Sequence, residues 1–405
     1  MGRQPPIEPR AQIRALLLSA DVGESHAQMA RALAAELEGM EQVAEVTVLN
    51  DLGVLGRALG ERLSHGFAVH LGQARWTYDA AYALFSRVRA ARTLGERALY
   101  ALGGNSLQAT IERHRPDVVV STYPVLNPVL ARLRTSGRCR CPVAAVVGPV
   151  GGHAFWVQPG LDLHMALQPE ALPSIRRLAG GSPVRAVRPL VRQEFFEPRS
   201  RAQARSELGL RAGVPVALVC GGGWGAGDLV GAVTECLRVP GLDVVAVAGR
   251  NPQALAELSA HFEREPRVTA LGFTERMSDL MYSADVLITA TAGLSCVEAR
   301  LCGCPIVVHG FPVGHVRDNA AALAEHGLAL VATDRESLPA IVQTALRNGR
   351  APAANDLSSG ALPTAAELVS ALANGRASAG GRADGAGLHK RTPAGVTQAT
   401  WPLQP

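Results

Sequence analysis

A recurring apolar run constrains this chain more than any other feature. Short stretches rich in Val, Ile, Leu and Ala return along its whole length, with segments of helical periodicity between them. In the first half they read IRALLLSA (Ile13–Ala20), VAEVTVL (Val43–Leu49), DVVVST (Asp117–Thr122), PVAAVVG (Pro142–Gly148) and LHMAL (Leu163–Leu167). In the second half they read VPVALVC (Val214–Cys220), DVVAVAG (Asp243–Gly249), RVTAL (Arg267–Leu271), ADVLITA (Ala284–Ala290), PIVVHG (Pro305–Gly310) and LALVA (Leu328–Ala332). A strand that is apolar throughout is buried on both faces, as in a parallel sheet covered by helices. Strand and helix in alternation predict an α/β architecture, and the series starts twice. At 405 residues the chain is long enough for two domains with separate cores.

The seam falls in VRPLVRQEFFEPRSRAQARSELGL, where prolines and charges cluster before a new helix–strand series begins. Residues 1–198 therefore read as one domain and residues 199–350 as a second. Residues 351–374 hold one last helix, PTAAELVSALAN, expected to pack back on the body. Residues 375–405 are rich in Gly, Ala and polar residues with little periodicity, and no fixed structure is expected there.

Several function classes are excluded at this level. No apolar run approaches the ~20 residues that cross a bilayer, and the N-terminal MGRQPPIEPRAQIR has no apolar core of a signal peptide. A cytoplasmic location is expected. The net charge is +5, carried almost wholly by arginine, with Lys390 as the only lysine. No arginine cluster interleaves with aromatics and no finger spacing occurs, so nucleic acid is not an expected partner. The pairs Cys139/Cys141 and Cys302/Cys304 lack zinc-site spacing; buried thiols are expected, and no metal site.

Three turns carry chemistry. CGGGWGAGDL (Cys220–Leu229) follows a strand and opens a helix, where glycine admits close backbone approach and the helix start offers N–H groups to an anion. TATAGLSCVEARLCGCP (Thr289–Pro305) repeats the arrangement, with Gly293 and Ser295 at the helix start. Glu298 lies three residues beyond Ser295: it can accept two vicinal hydroxyls, or close a capping box with Ser295. The third turn is LLLSADVGESHAQMARAL (Leu16–Leu33), which sets His26 where a buried strand gives way to a helix.

In this order GGGWG, AGRN, LGFTERMSDLMYSADVLIT, AGLSCVEA and DNA resemble the donor half of a GT-B glycosyltransferase. SADVGESHAQMARAL, RPDVVVSTYPV and HAFWVQPGLD resemble the acceptor half of the monogalactosyldiacylglycerol synthase and processive diacylglycerol glucosyltransferase group. The resemblance runs from about Ile13 to Thr333. It implies two Rossmann-like parallel-sheet domains facing a central cleft, with a UDP-sugar donor on the rear half and a lipid or other hydrophobic acceptor on the front half. It also implies transfer with inversion and no cofactor beyond the donor. By the same resemblance Gly222, Gly223 and Gly225 line the diphosphate, Arg250 and Asn251 sit near the nucleotide, and Phe273 lies in the loop that reads the base. Gly293 and Ser295 approach the phosphates and Glu298 takes the ribose. His315 and Asn319 fall in the segment that holds the sugar.

Inversion needs a base for the acceptor hydroxyl, and imidazole suits it. His26 matches the family histidine, against the alternative of a structural hydrogen bond at a helix start. His153 is the second candidate, with Trp156 as acceptor wall or plain core. The chain departs from the pattern at Ala290, where the family has lysine, and at Val147 and Gly148, where it has Thr-Asp. It departs again at His315 and Val316, where it has Gln-Glu. These losses put the sugar in question and admit a second reading, a non-catalytic nucleotide-sugar-binding or regulatory protein on the same fold. Nucleotide-sugar epimerisation is a third. LFSRVRAARTLGERALYAL (Leu84–Leu102) spaces Arg87, Arg89, Arg92 and Arg97 among apolar residues, which suits either peripheral contact with the inner face of a membrane or a solvated surface helix.

Overall fold

The computed structural model describes residues 12–20, 24–63, 75–148, 150, 152–310, 314–351, 354, 357 and 360–375. Asp21–Gly23 of the His26 turn, Phe311–Val313 ahead of His315, and the tail expected to lack fixed structure from residue 376 onward lie outside the described residues.

Two six-stranded parallel sheets form the frame. The first holds β1 (Ile13–Ser19), β2 (Val43–Asn50), β3 (Val118–Ser121), β4 (Val143–Val147), β5 (Leu163–Ala166) and β6 (Val184–Ala186), in the order β2-β1-β3-β4-β5-β6. The second holds β7 (Val216–Cys220), β8 (Asp243–Val247), β9 (Val268–Leu271), β10 (Val286–Thr289), β11 (Ile306–His309) and β12 (Leu330–Ala332), in the order β12-β11-β10-β7-β8-β9. Every one of the eleven apolar runs supplies a strand. The twelfth strand, β6, is a three-residue edge piece containing Arg185, too short and too polar to show a pattern. Burial follows position: β3, β4, β7, β8, β10 and β11 are buried at each residue, whereas the edges β2, β9 and β12 are partly exposed.

The helices of the front domain are α1 (Glu24–Glu38), α2 (Arg75–Arg87), α3 (Arg89–His114), α4 (Asn127–Thr135) and α5 (Leu172–Leu178). Those that follow are α6 (Arg201–Glu207), α7 (Leu229–Cys236), α8 (Pro252–His261), α9 (Met277–Ser283), α10 (Leu294–Leu301), α11 (His315–Glu325), α12 (Leu338–Asn348) and α13 (Ala365–Ala373). The arginine-bearing segment is not one helix: it breaks at Val88, whose extended backbone (φ −99°, ψ 101°) separates α2 from α3.

The final helix returns to the first domain. Thr364 and Glu367 form its capping box, which satisfies two free amides. Ala365, Ala366 and Val369 are fully buried in the same apolar cluster as Leu33 and Leu37 of α1. Polar contacts fix the docking. The N–H of Arg188 donates to the Pro363 carbonyl at 2.9 Å, and Gln42 donates to the Ser370 hydroxyl at 3.2 Å. The chain thus crosses between the domains twice.

Candidate active site

In each sheet two strands distant in sequence lie side by side: β1 with β3, and β7 with β10. The connections leaving their C-terminal ends diverge there and open a crevice. The two crevices face each other and merge into one cleft of about 2260 Å³. Drug-sized ligand sites run to roughly 300–1,000 Å³, so this volume accommodates two substrates. His26, His153, Gly222, Gly223, Gly225, Arg250, Asn251, Phe273, Gly293, Ser295, Glu298, His315 and Asn319 all line it.

The glycine-rich turn after β7 is closed by Gly225 N–H to the Gly222 carbonyl at 3.1 Å and by Ala226 N–H to the Gly221 carbonyl at 2.8 Å. Gly222 (φ 70°) and Gly225 (φ 59°) are left-handed, a conformation that side chains disfavour. At Gly223 a Cβ would lie 2.5 Å from the Cβ of Glu24 on the opposite domain. The missing side chain is what lets the two halves approach. Behind this turn the Gly223 carbonyl accepts from the N–H of Arg250 at 2.8 Å.

Arg250 spreads over Phe273, its guanidinium carbon 3.6 Å from the ring centroid, and its Nε lies 3.6 Å from a Glu24 carboxylate oxygen. Phe273 is nearly half exposed at the cleft wall. Asn251 lines the cleft, but its side chain is committed to the scaffold. Its Oδ1 accepts from Ala254 N–H at 3.0 Å to cap α8, and its Nδ2 reaches the Trp224 carbonyl at 3.5 Å.

At the start of α10 the capping-box alternative for Glu298 does not form. The N-cap is Gly293, without a side-chain cap bond, and Glu298 lies beyond the first turn. Its carboxylate instead accepts from Gln28 Nε2 of α1 at 2.7 Å, across the cleft. Only 7% of Glu298 is exposed. Burial pushes its carboxyl up to about 7, against the opposing pull of Gln28 and Arg192.

On the front side His26 is held by the loop after β3. Its Nδ1 lies 2.8 Å from the Thr122 carbonyl, and the Thr122 hydroxyl donates to the His26 carbonyl at 3.2 Å. A carbonyl can only accept, so Nδ1 carries the proton and Nε2 keeps its lone pair. The imidazole sits edge-on to Tyr123 (centroids 4.8 Å apart) and tilted against Trp156 (5.3 Å). Burial in this aromatic setting lowers its pKa to about 4; the Thr122 bond raises it and His315 lowers it further. Trp156 is 7% exposed, so it packs in the core while lining the cleft beside His26.

His153 stacks on Tyr82 at 4.9 Å, and burial lowers its pKa to about 4 as well. His315 is the first residue of α11, near enough to both other histidines to depress them by charge. Asn319 is buried one turn on. Three contacts bind this end of α11 to the front domain, the first from the N–H of its N-cap Gly314 to Asp79. Tyr82 donates to Asp318 at 2.7 Å, and Arg317 pairs with Asp79 at 2.9 Å. Among the described residues no group of three or more His, Cys, Asp or Glu is placed to hold a metal ion, and no helix is long and apolar enough to cross a membrane. The cysteines are free thiols, all buried except half-buried Cys141.

Residues 216–369 match the glycosyltransferase family 28 C-terminal domain, and residues 26–182 match the monogalactosyldiacylglycerol (MGDG) synthase family. The chain resembles this glycosyltransferase group in both halves, on the GT-B fold. It is 23% identical over 328 residues to a processive diacylglycerol beta-glucosyltransferase of Bacillus licheniformis, covering 80% of this chain and 84% of that one. It is 26% identical over 250 residues to monogalactosyldiacylglycerol synthase 1 of Arabidopsis thaliana, covering 57% and 45%. Among solved structures it superposes on spinosyn rhamnosyltransferase SpnG complexed with thymidine diphosphate. The TM-score is 0.57 at 16% identity, covering 89% of this chain and all of that one.

Sequence reasoning about this chain missed its cross-cleft partners. Gln28, Glu24, Asp79 and Tyr82 reach the rear domain from α1 and α2. The only signal was polar side chains on otherwise ordinary helices, two or fewer residues from His26 in the cases of Glu24 and Gln28.

Proposed function

We propose that the chain transfers a hexosyl group from a UDP-sugar to the hydroxyl of a diacylglycerol-type lipid, with inversion. The observation that carries this reading is the opposition of His26 and Glu298 in one cleft, the first with a free lone pair and the second with a buried carboxyl. The names of the two relatives support the acceptor class.

In this reading the ribose displaces Gln28 from Glu298, and the diphosphate lies along the Gly222–Gly225 turn and the α10 start. The acceptor oxygen attacks the anomeric carbon and its proton passes to His26 Nε2. The bond from that carbon to the diphosphate breaks, and the α10 N-terminus and Arg250 meet the charge left on UDP. A single displacement inverts the centre. At His315 and Val316 the sugar meets an imidazole and an apolar group in place of an amide and a carboxylate, which shifts the choice of sugar.

UDP at about 100 times its Kd is expected to raise Tm by roughly 3–6 °C. A panel of UDP-sugars with diacylglycerol in mixed micelles is then expected to release UDP catalytically. No stabilisation by any nucleoside diphosphate would remove the donor site. Stabilisation without turnover would favour the non-catalytic reading.

The lipid acceptor brings a membrane surface with it. At the break between α2 and α3, Leu84, Val88 and Leu94 are 47%, 45% and 70% exposed, flanked by exposed Arg87, Arg89 and Arg97. Apolar insertion with arginines at the headgroups is the pattern of an interfacial segment, worth about 1 kcal/mol per arginine near anionic lipid. The triple variant Leu84→Ser, Val88→Ser, Leu94→Ser is expected to lose sedimentation with anionic vesicles while UDP still raises its Tm. Undiminished sedimentation would place the membrane contact elsewhere.

A further inference from the structure

The two cleft histidines of the front domain are locked in opposite tautomers. At His26 the Thr122 carbonyl takes the Nδ1 proton and leaves Nε2 an acceptor. At His153 the backbone N–H of Phe155 donates to Nδ1 at 3.2 Å, so the neutral ring keeps its proton on Nε2. That Nε2–H is buried and meets no hydrogen-bond partner. Proteins keep few unpaired buried donors, because each forfeits its bond to water without replacement.

The setting of this orphan donor is aromatic. His153 lies between Tyr82 (4.9 Å, 23°) and Phe155 (5.7 Å, 14°), and Phe155 meets Phe85 edge-on at 6.3 Å. Phe85 packs against α3 at Gly95, where a Cβ would come within 3.0 Å of its ring. Its neighbour Leu84, and Leu94 beside Gly95, are exposed. A largely apolar wall thus runs from Trp156, beside His26, past His153 to the exposed leucines, with the unpartnered His153 Nε2–H set in it.

Resting on the lipid-acceptor reading above, we infer that His153 Nε2–H donates to the ester carbonyl at the root of an acyl chain while His26 Nε2 accepts from the neighbouring hydroxyl. A hydroxyl and an adjacent ester present one donor and one acceptor, the complement of the two rings. The acyl chain continues along Phe155 and Phe85 towards the bilayer. The Tyr82 ring rotates away to admit the carbonyl. His153 is on this account a positioning residue, and the base is His26 alone.

The test compares a 1,2-diacylglycerol with the 1,2-dialkylglycerol of equal chain length, which lacks both carbonyls, using the full chain and one UDP-sugar. The wild type is expected to favour the diester about tenfold in kcat/KM, chiefly through KM. His153→Phe keeps the stacked ring, loses the donor, and is expected to treat both acceptors alike; His153→Gln, with an amide donor, is expected to restore part of the preference. Equal use of both lipids by the wild type overturns the inference, and this measurement needs no variant to fold. So does a preference that survives His153→Phe, or a loss in that variant as deep as in His26→Ala on both lipids. Absence of turnover with either lipid and every UDP-sugar of the panel refutes the transfer reading itself, and the inference falls with it. Turnover without preference refutes the inference alone.

Discussion

His26→Ala is expected to lower kcat by about 10²–10⁴-fold, the span of a lost general base, with UDP still raising Tm as in the wild type. The argument is geometric before it is electrostatic. The ring is clamped through Nδ1 to Thr122, so its free nitrogen has one orientation. His153, the other histidine of the front-domain wall, is held the opposite way, as a donor. A variant that retained turnover would show that His26 only caps the helix start. The pH profile gives a second check. The basic form is the neutral one, and burial lowers the pKa to about 4. With donor saturating, the kcat/KM for acceptor reports the enzyme–donor complex, so its acid limb is expected well below 6.5, displaced upward from about 4 by the bound diphosphate, which favours imidazolium. Stability follows the same linkage. His153 and His164 are also lowered to about 4 by burial. Between pH 6.5 and 4 the unfolded chain holds protons on these rings that the folded chain lacks. Stability therefore falls as pH drops through that window, to be read from urea midpoints.

Glu298→Gln is expected to raise the KM for the donor about 10- to 100-fold, the cost of replacing charge-assisted bonds to two ribose hydroxyls. The amide is isosteric, so the fold is kept. Burial sets the wild-type carboxyl at about 7. Only the ionised form accepts from both hydroxyls without giving up an oxygen to its own proton. Donor affinity is thus expected to strengthen as pH rises through 7 in the wild type and to be flat in the variant. Calorimetric titration with UDP at several pH values measures both, and equal affinity of wild type and variant would detach Glu298 from the ribose. The stability sign is opposite to that of the histidines. The folded carboxyl keeps its proton up to about 7 while the unfolded one releases it near 4.5, so this group's contribution diminishes as pH rises between those values.

Much of the frame was legible because it is written in local pattern. A fully buried strand must be apolar at every residue, and all eleven apolar runs became strands. β6 escaped because an edge strand of three residues obeys no such rule. Turn chemistry was legible for a similar reason: Gly222 and Gly225 adopt left-handed backbone that few other residues tolerate. The candidate site was less so. The spacing of Ser295 and Glu298 suited a capping box, yet Gly293 became the cap, and Glu298 turned to Gln28 on the other domain. Asn251, expected near the nucleotide, lines the cleft, but that its side chain also caps α8 was not legible.

The sequence by itself determined which segments are buried strands, where the glycine turns fall, and that two α/β domains follow one another. Each of these depends on the residue and its near neighbours. Only the tertiary structure decided the tautomers of His26 and His153, the raised carboxyl of Glu298, and the clasp of α1 and α2 onto the rear domain. Those properties belong to pairs of groups far apart in the chain. Desolvation and hydrogen bonding act across space, so they exist only once the two sheets have closed around the cleft.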